Sequence, residues 1–146
     1  IPVKPQNFAN HHRLVPGFHG VLFLLLIAAL GGAINNLRLA WGDHQRIYSA
    51  SLIALVCICL ILLYWYARSF PLKAQDRAIR AEENLRHYTL TGKLLDPRLT
   101  VGQIVALRFA PDNEFVELAK RAADETLPSE EIKKQIKNWR PDYHRV

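Results

Sequence analysis

The side chains of this chain best suited to metal, haem or nucleophilic chemistry are six histidines and two cysteines. His19 is the one histidine at or inside a long apolar run, so a membrane haem held by two histidines lacks its second ligand. A single ligand bond from His19 to a haem or pigment is the cofactor chemistry left open. His11 and His12 are adjacent, but no Cys or carboxylate in residues 1–16 completes a metal site around them. Cys57 and Cys59, two positions apart on a helix, point about 200° from each other. They share neither a metal nor an easy disulfide and read as packing or lipid-facing residues. There is no glycine-rich phosphate loop and no nucleophile elbow. The acids of the last third (Asp112, Glu114, Glu117, Asp124, Glu125, Glu130, Glu131) fall in helix first turns or on solvated faces, where they suit the helix dipole. The expectation is a protein that is not an enzyme, with no catalytic set, cofactor or metal.

The elements that carry these residues explain the pattern. The chain has 146 residues, is 50% apolar and 22% charged, and carries a formal net charge of +6. Leu14–Leu37 and Ile47–Ala67 contain no Asp, Glu, Lys or Arg. Crossing about 30 Å of hydrocarbon takes about 20 helical residues, so both runs are long enough. Spans at about 18–37 and 47–67, joined by the short turn Arg38–Arg46, make an antiparallel hairpin. Neither span holds the ionisable side chain that a transporter or proton relay requires. The chain contains no Met, which points to loss of its initiator. The first run is too long for a signal-peptide core and reads as an anchor.

Excess positive charge lies just after the second span, on Arg68, Lys73, Arg77, Arg80, Arg86 and Lys93, whereas residues 94–146 balance their signs. That argues against a nucleic-acid surface, which needs a concentrated basic face, and fits a segment beside anionic headgroups. It also orients the hairpin, with both termini cytoplasmic and the turn outside. Trp41 and Tyr48 mark one membrane interface; Phe18 and Tyr64-Trp65-Tyr66 mark the other. Residues 1–16 read as an irregular arm on the membrane surface.

Small residues repeat at four-residue spacing in both spans, as Ala28 with Gly32 and Ala50 with Ala54. Such pairs let helix backbones approach closely, between the two spans or with a second chain. Ser69-Phe70-Pro71 kinks or starts a helix. Leu72–Tyr88 follows, with acid-before-base pairs Asp76–Arg80 and Glu82–Arg86. Along it Ala74, Ala78, Ala81, Leu85 and Tyr88 form a 4-3-4-3 seam, which reads first as a docking face for the tail and second as a dimerisation face. Thr100 with Gln103 forms a capping box opening Val101–Phe109. Further helices are expected from Pro111 or Asp112 to about Glu125 and over Glu130–Trp139. About 45 residues make a marginal core, so this unit should pack on Leu72–Tyr88 or on a partner. The closing stretch, with Trp139, Arg140, Tyr143 and Arg145, has the residue types that anchor interfaces or cap a small domain.

Several strings together resemble a known family: Lys4-Pro5-Gln6-Asn7 with Asn10-His11, Ala67-Arg68-Ser69 followed by Gln75-Asp76-Arg77, Ile79-Arg80 and Glu82-Glu83, then Leu107-Arg108-Phe109-Ala110, and Ile136-Lys137-Asn138-Trp139-Arg140-Pro141-Asp142 with Arg145-Val146. The family is one of small bacterial two-span membrane proteins with a domain of unknown function. The resemblance covers nearly the whole chain, departing at Pro71 and in the order Pro128-Ser129. It implies a bacterial membrane protein with a cytosolic tail, and no activity.

The expected architecture is an all-α membrane protein. An arm (1–16) leads to a transmembrane hairpin (17–67), a kinked juxtamembrane helix (68–90) and a small cytoplasmic three-helix unit (91–146). The expected role is a non-enzymatic accessory or scaffold subunit of a larger complex in the bacterial inner membrane, with the lipid bilayer and a protein as partners and no nucleic acid. The alternatives are a self-associating homo-oligomer and a pigment- or haem-binding subunit using His19.

Overall fold

A computed structural model describes residues 5–11 and 14–142 of the chain. The described residues are helical and irregular, without strands. A π-helical turn, Gly17–Leu22, runs into α1 (Phe23–Leu39); α2 (His44–Thr91), α3 (Val101–Leu107), α4 (Asp112–Asp124) and α5 (Ser129–Gln135) follow. The chain divides into two compact units, residues 14–70 and residues 1–13 with 71–146.

In the first unit, Gly17–Leu39 and α2 are long and apolar enough to cross a membrane. They touch along a narrow line of small side chains. Ala33, Ala54 and Cys57 are buried there, flanked by Leu30 and Leu37, and Ala40 and Ala50 are buried too. Small residues allow this close approach. Phe18 stacks on Tyr64 with ring centroids 4.5 Å apart. The connection is tighter than Arg38–Arg46: Gly42 takes φ +91°, a conformation open to glycine. The Asp43 carboxylate then accepts from the backbone N–H of Gln45 and Arg46, capping α2.

α2 is 48 residues long and runs through Pro71. The second apolar run and the basic helix expected as a separate, kinked element are therefore one helix. Proline removes a single backbone donor, and Leu72, Lys73, Ala74 and Gln75, all strong helix formers, resume the ladder at once. The helix ends where Gly92, at φ +74°, donates its N–H to the Tyr88 carbonyl.

In the second unit, α3, α4, α5 and the 92–99 linker enclose one core that includes Leu99, Ile104, Leu107, Phe109, Phe115, Leu118 and Ile132. Thr100 and Gln103 form the expected reciprocal capping box. The Gln103 amide is also buried and donates to the carbonyls of Ala122 and Leu127, tying the end of α4 to α3. Residues 71–91 of α2 belong to this unit. The docking face is not the alanine seam but the opposite side of the helix, where Ile79 and Glu83 are buried. Arg86 fixes it. It bonds to Glu83 Oε2 at 2.9 Å, to Asp112 Oδ1 and to the Ala110 carbonyl, with its guanidinium 4.3 Å over the Phe115 ring. It thus turns away from Glu82, its expected partner on the same helix.

Breaking a pair that leaves a buried carboxylate behind is destabilising by about 3–5 kcal/mol. The substitution Arg86→Met should therefore accelerate amide hydrogen exchange across α3 and α4 by at least about 100-fold, whereas Arg80→Met, exposed on α2, should leave it within about threefold. Unchanged exchange in Arg86→Met contradicts the anchoring role.

Candidate interaction surfaces

α5 stops at Gln135, short of the expected Trp139, because Glu114 captures the next amides. Its carboxylate accepts from the backbone N–H of Lys137 at 3.0 Å and of Asn138 at 3.3 Å, and from the Asn138 side chain. The Lys137 N–H foremost, against opposing desolvation, holds the Glu114 carboxyl below its ordinary value of 4.5. The Arg140 N–H then reaches the Phe109 carbonyl at 2.8 Å. This extended path lays Trp139 against Phe109, with centroids 4.8 Å apart, so Trp139 caps its own domain. The Arg140 side chain is exposed, 3.8 Å from Glu83 at its nearest. Tyr143 and Arg145 lie outside the described residues, as does His12.

The described part of the arm belongs to this same unit, an arrangement absent from the sequence reading. His11 is buried, with its ring within 6 Å of Phe8, Phe109 and Trp139 by centroid. His11 Nδ1 lies 2.7 Å from the Phe8 carbonyl and Nε2 lies 3.1 Å from Lys133 Nζ. Donation from Nδ1 to that carbonyl leaves Nε2 to accept from the ammonium. Gln6 accepts the Asp142 N–H at 2.8 Å, and Arg108, also buried, approaches Asp142 at 3.2 Å. Nothing local in residues 1–16 marks this contact, because its partners Phe109, Lys133, Trp139 and Asp142 lie more than 90 positions away.

Elsewhere, exposed charge serves loop geometry. Arg98 bonds to Asp96 and Asp124. Its hydrogen bonds lower the Asp96 carboxyl from 3.8 to about 2. His19 Nδ1 sits 3.1 Å from both the backbone N and O of Val15. Among the described residues, no three His, Cys, Asp or Glu side chains converge as a metal site.

Of the helix-packing candidates, Ala50 and Ala54 are buried, whereas Ala28 and Gly32 are exposed, with open space where a Gly32 side chain would stand. The α1 stripe facing α2 is Leu30–Ala33–Leu37 instead. All five seam residues, Ala74, Ala78, Ala81, Leu85 and Tyr88, are exposed. Beside the end of α2 lies an open, mostly apolar cavity of about 340 Å³, lined by His87, Leu94, Leu95, Leu99, Val116 and Ala119 and bordered by Lys93, Lys120 and Asp96. Leu94 is 67% exposed at its lip. The unit thus offers two apolar surfaces, a helix face and a groove, neither covered by its own core.

The chain matches the family described as "Family of unknown function (DUF6526)" over residues 3–146 and belongs to it. No curated protein and no solved structure matches it.

The lowered Glu114 carboxyl sets a pH dependence. A depressed folded-state value gives stability that is present above the ordinary carboxylate range and lost as pH falls through the folded value. Protection of the Lys137 and Asn138 amides should persist from neutral pH through the ordinary carboxylate range and be lost only below it, as the lowered carboxyl takes up its proton. In Glu114→Gln the fall should be absent, with protection already lower at neutral pH. A wild-type profile flat to pH 2 contradicts this account.

Proposed function

We propose that this family member is a non-enzymatic accessory or scaffold subunit of a larger membrane protein complex. Its two apolar helices anchor it, and its small helical unit docks a protein partner. The carrying observation is the divided character of α2. From Ile47 to Ala67 it is uncharged and apolar on nearly all sides, with 17% of its most apolar stretch buried. Its second half holds a folded unit on one face and leaves apolar surface open beside it.

Four charges of that unit go into structure. Arg86, Arg98, Arg108 and Glu114 each bind a group that shapes the chain. What faces outward is the groove at Leu94, with Lys93, Lys120 and Asp96 at its rim, the carboxylate being taken up by Arg98 so that the lysines set the sign. An apolar floor with a basic rim suits an amphipathic segment carrying acidic residues. The positive flank after residue 67 favours both termini on the cytoplasmic side of the membrane. The bacterial inner membrane as location rests on the sequence resemblance.

A photo-cross-linking residue at Leu94, in the full chain in native membranes, should yield a discrete adduct with one different polypeptide. Leu94→Glu, which buries a charge against that partner, should reduce native co-purification at least about tenfold. A monomer in mild detergent, with no adduct and no co-purifying protein, contradicts the scaffold reading.

A further inference from the structure

The seam of α2 is the other uncovered surface, and its geometry specifies an occupant. Ala74, Ala78, Ala81, Leu85 and Tyr88 recur at 4-3-4-3 spacing and are all exposed; Leu85 is 63% exposed and Tyr88 53%. The docked core lies opposite, against Ile79, Glu83 and Arg86, so the seam is accessible along about two heptads. Three alanines at its start permit close helix approach, and Leu85 and Tyr88 widen the contact towards its end.

The flanking charges fix the direction. In this register Ala78 and Leu85 occupy a positions, and Ala74, Ala81 and Tyr88 occupy d positions. Arg77 then falls at g and Glu82 at the following e, both exposed. In a parallel pair of identical helices, g of one chain faces the next e of the other, so Arg77 meets Glu82 of the second copy twice, once on each side. An antiparallel pair would bring the arginine flanks together and the glutamate flanks together, and is opposed by like-charge repulsion. This complementarity is that of the chain with itself.

We infer that the Ala74–Tyr88 face of α2 is a parallel homodimer interface, flanked by two reciprocal Arg77–Glu82 ion pairs between the copies. The inference rests on the anchored reading in one respect: identical anchors hold two copies in one bilayer with α2 leaving in the same sense. Two heptads are short for a coiled coil free in solution, and confinement to a membrane supplies the effective concentration that the short seam lacks. The interface leaves the groove at Leu94 to a different partner, so each complex would carry the subunit in pairs.

The test is disulfide cross-linking in native membranes, in the full chain with Cys57 and Cys59 replaced by Ala. Ala81→Cys and Leu85→Cys should give a covalent dimer on mild oxidation, at least tenfold above Arg80→Cys on the outer side of the helix. Arg77→Glu or Glu82→Arg alone should reduce the Ala81→Cys dimer severalfold, and the double exchange should restore it. Restoration excludes a merely local folding effect. Equal cross-linking at positions 80 and 81, or no dimer at either 81 or 85, overturns the inference. An adduct of position 81 with a different polypeptide also overturns it while leaving the scaffold reading standing; failure of that reading is separately visible as loss of the Leu94 adduct.

Discussion

The structure depends on apolar surface that the protein does not cover for itself. Across Gly17–Leu39, 6% of the most apolar stretch is buried, and across the corresponding part of α2, 17%. The two helices meet along one line of Ala, Cys and Leu and at the Phe18–Tyr64 stack, and most other Leu, Ile and Val side chains of the two apolar stretches are exposed. Hydrophobic side chains exposed in such density are strongly unfavourable in water. A helix that satisfies its own backbone bonds is suited to a lipid environment. Packing through small residues suits the same setting: where the surroundings are as apolar as the helices, close backbone approach is the remaining source of attraction.

The second unit answers a different problem, that of closing a core with few residues. It takes a face of α2 as a wall, places Arg86 at the join, and folds the 5–11 arm and the 136–142 segment over Phe109. Charged groups do much of this fastening. Arg86 and Glu83 pair where solvent is scarce, with 11% and 6% of their side-chain surfaces exposed, and Glu114 ends α5 by taking its next amides. A core assembled this way has no surplus with which to cover the seam and the groove, which is why both remain open.

Much of the secondary structure was legible because it rests on local rules. The two charge-free runs, the Thr100–Gln103 box and the start of α4 depend on neighbours within four residues. The differences arise where a distant group wins. Arg86 prefers Asp112 and Ala110 to Glu82, because these lie on the packed side of the helix. Glu114 ends α5 from 23 positions away. The helix persists through Pro71 because one lost donor is outweighed by the ladder on either side. The alanine seam was readable as a stripe, but the side of α2 that takes the core depends on Ile79, Glu83 and Arg86 acting together with α3 and α4. Ala28 and Gly32 show the same limit: small-residue spacing marks a surface able to pack closely, and does not say which of several such surfaces is used.

The central claim, that the Leu14–Phe70 hairpin is shielded by lipid rather than by protein, meets its most direct test at Cys59. The protein's own fold leaves this thiol exposed, so any protection must come from the surroundings. In intact membranes Cys59 should stay unlabelled by a charged, membrane-impermeant maleimide and react fully once the membrane is dissolved and the chain unfolded, while a cysteine placed at Trp41, in the turn, should label readily on open vesicles. Rapid labelling of Cys59 in intact membranes, with release of the chain by alkaline carbonate, would contradict the account.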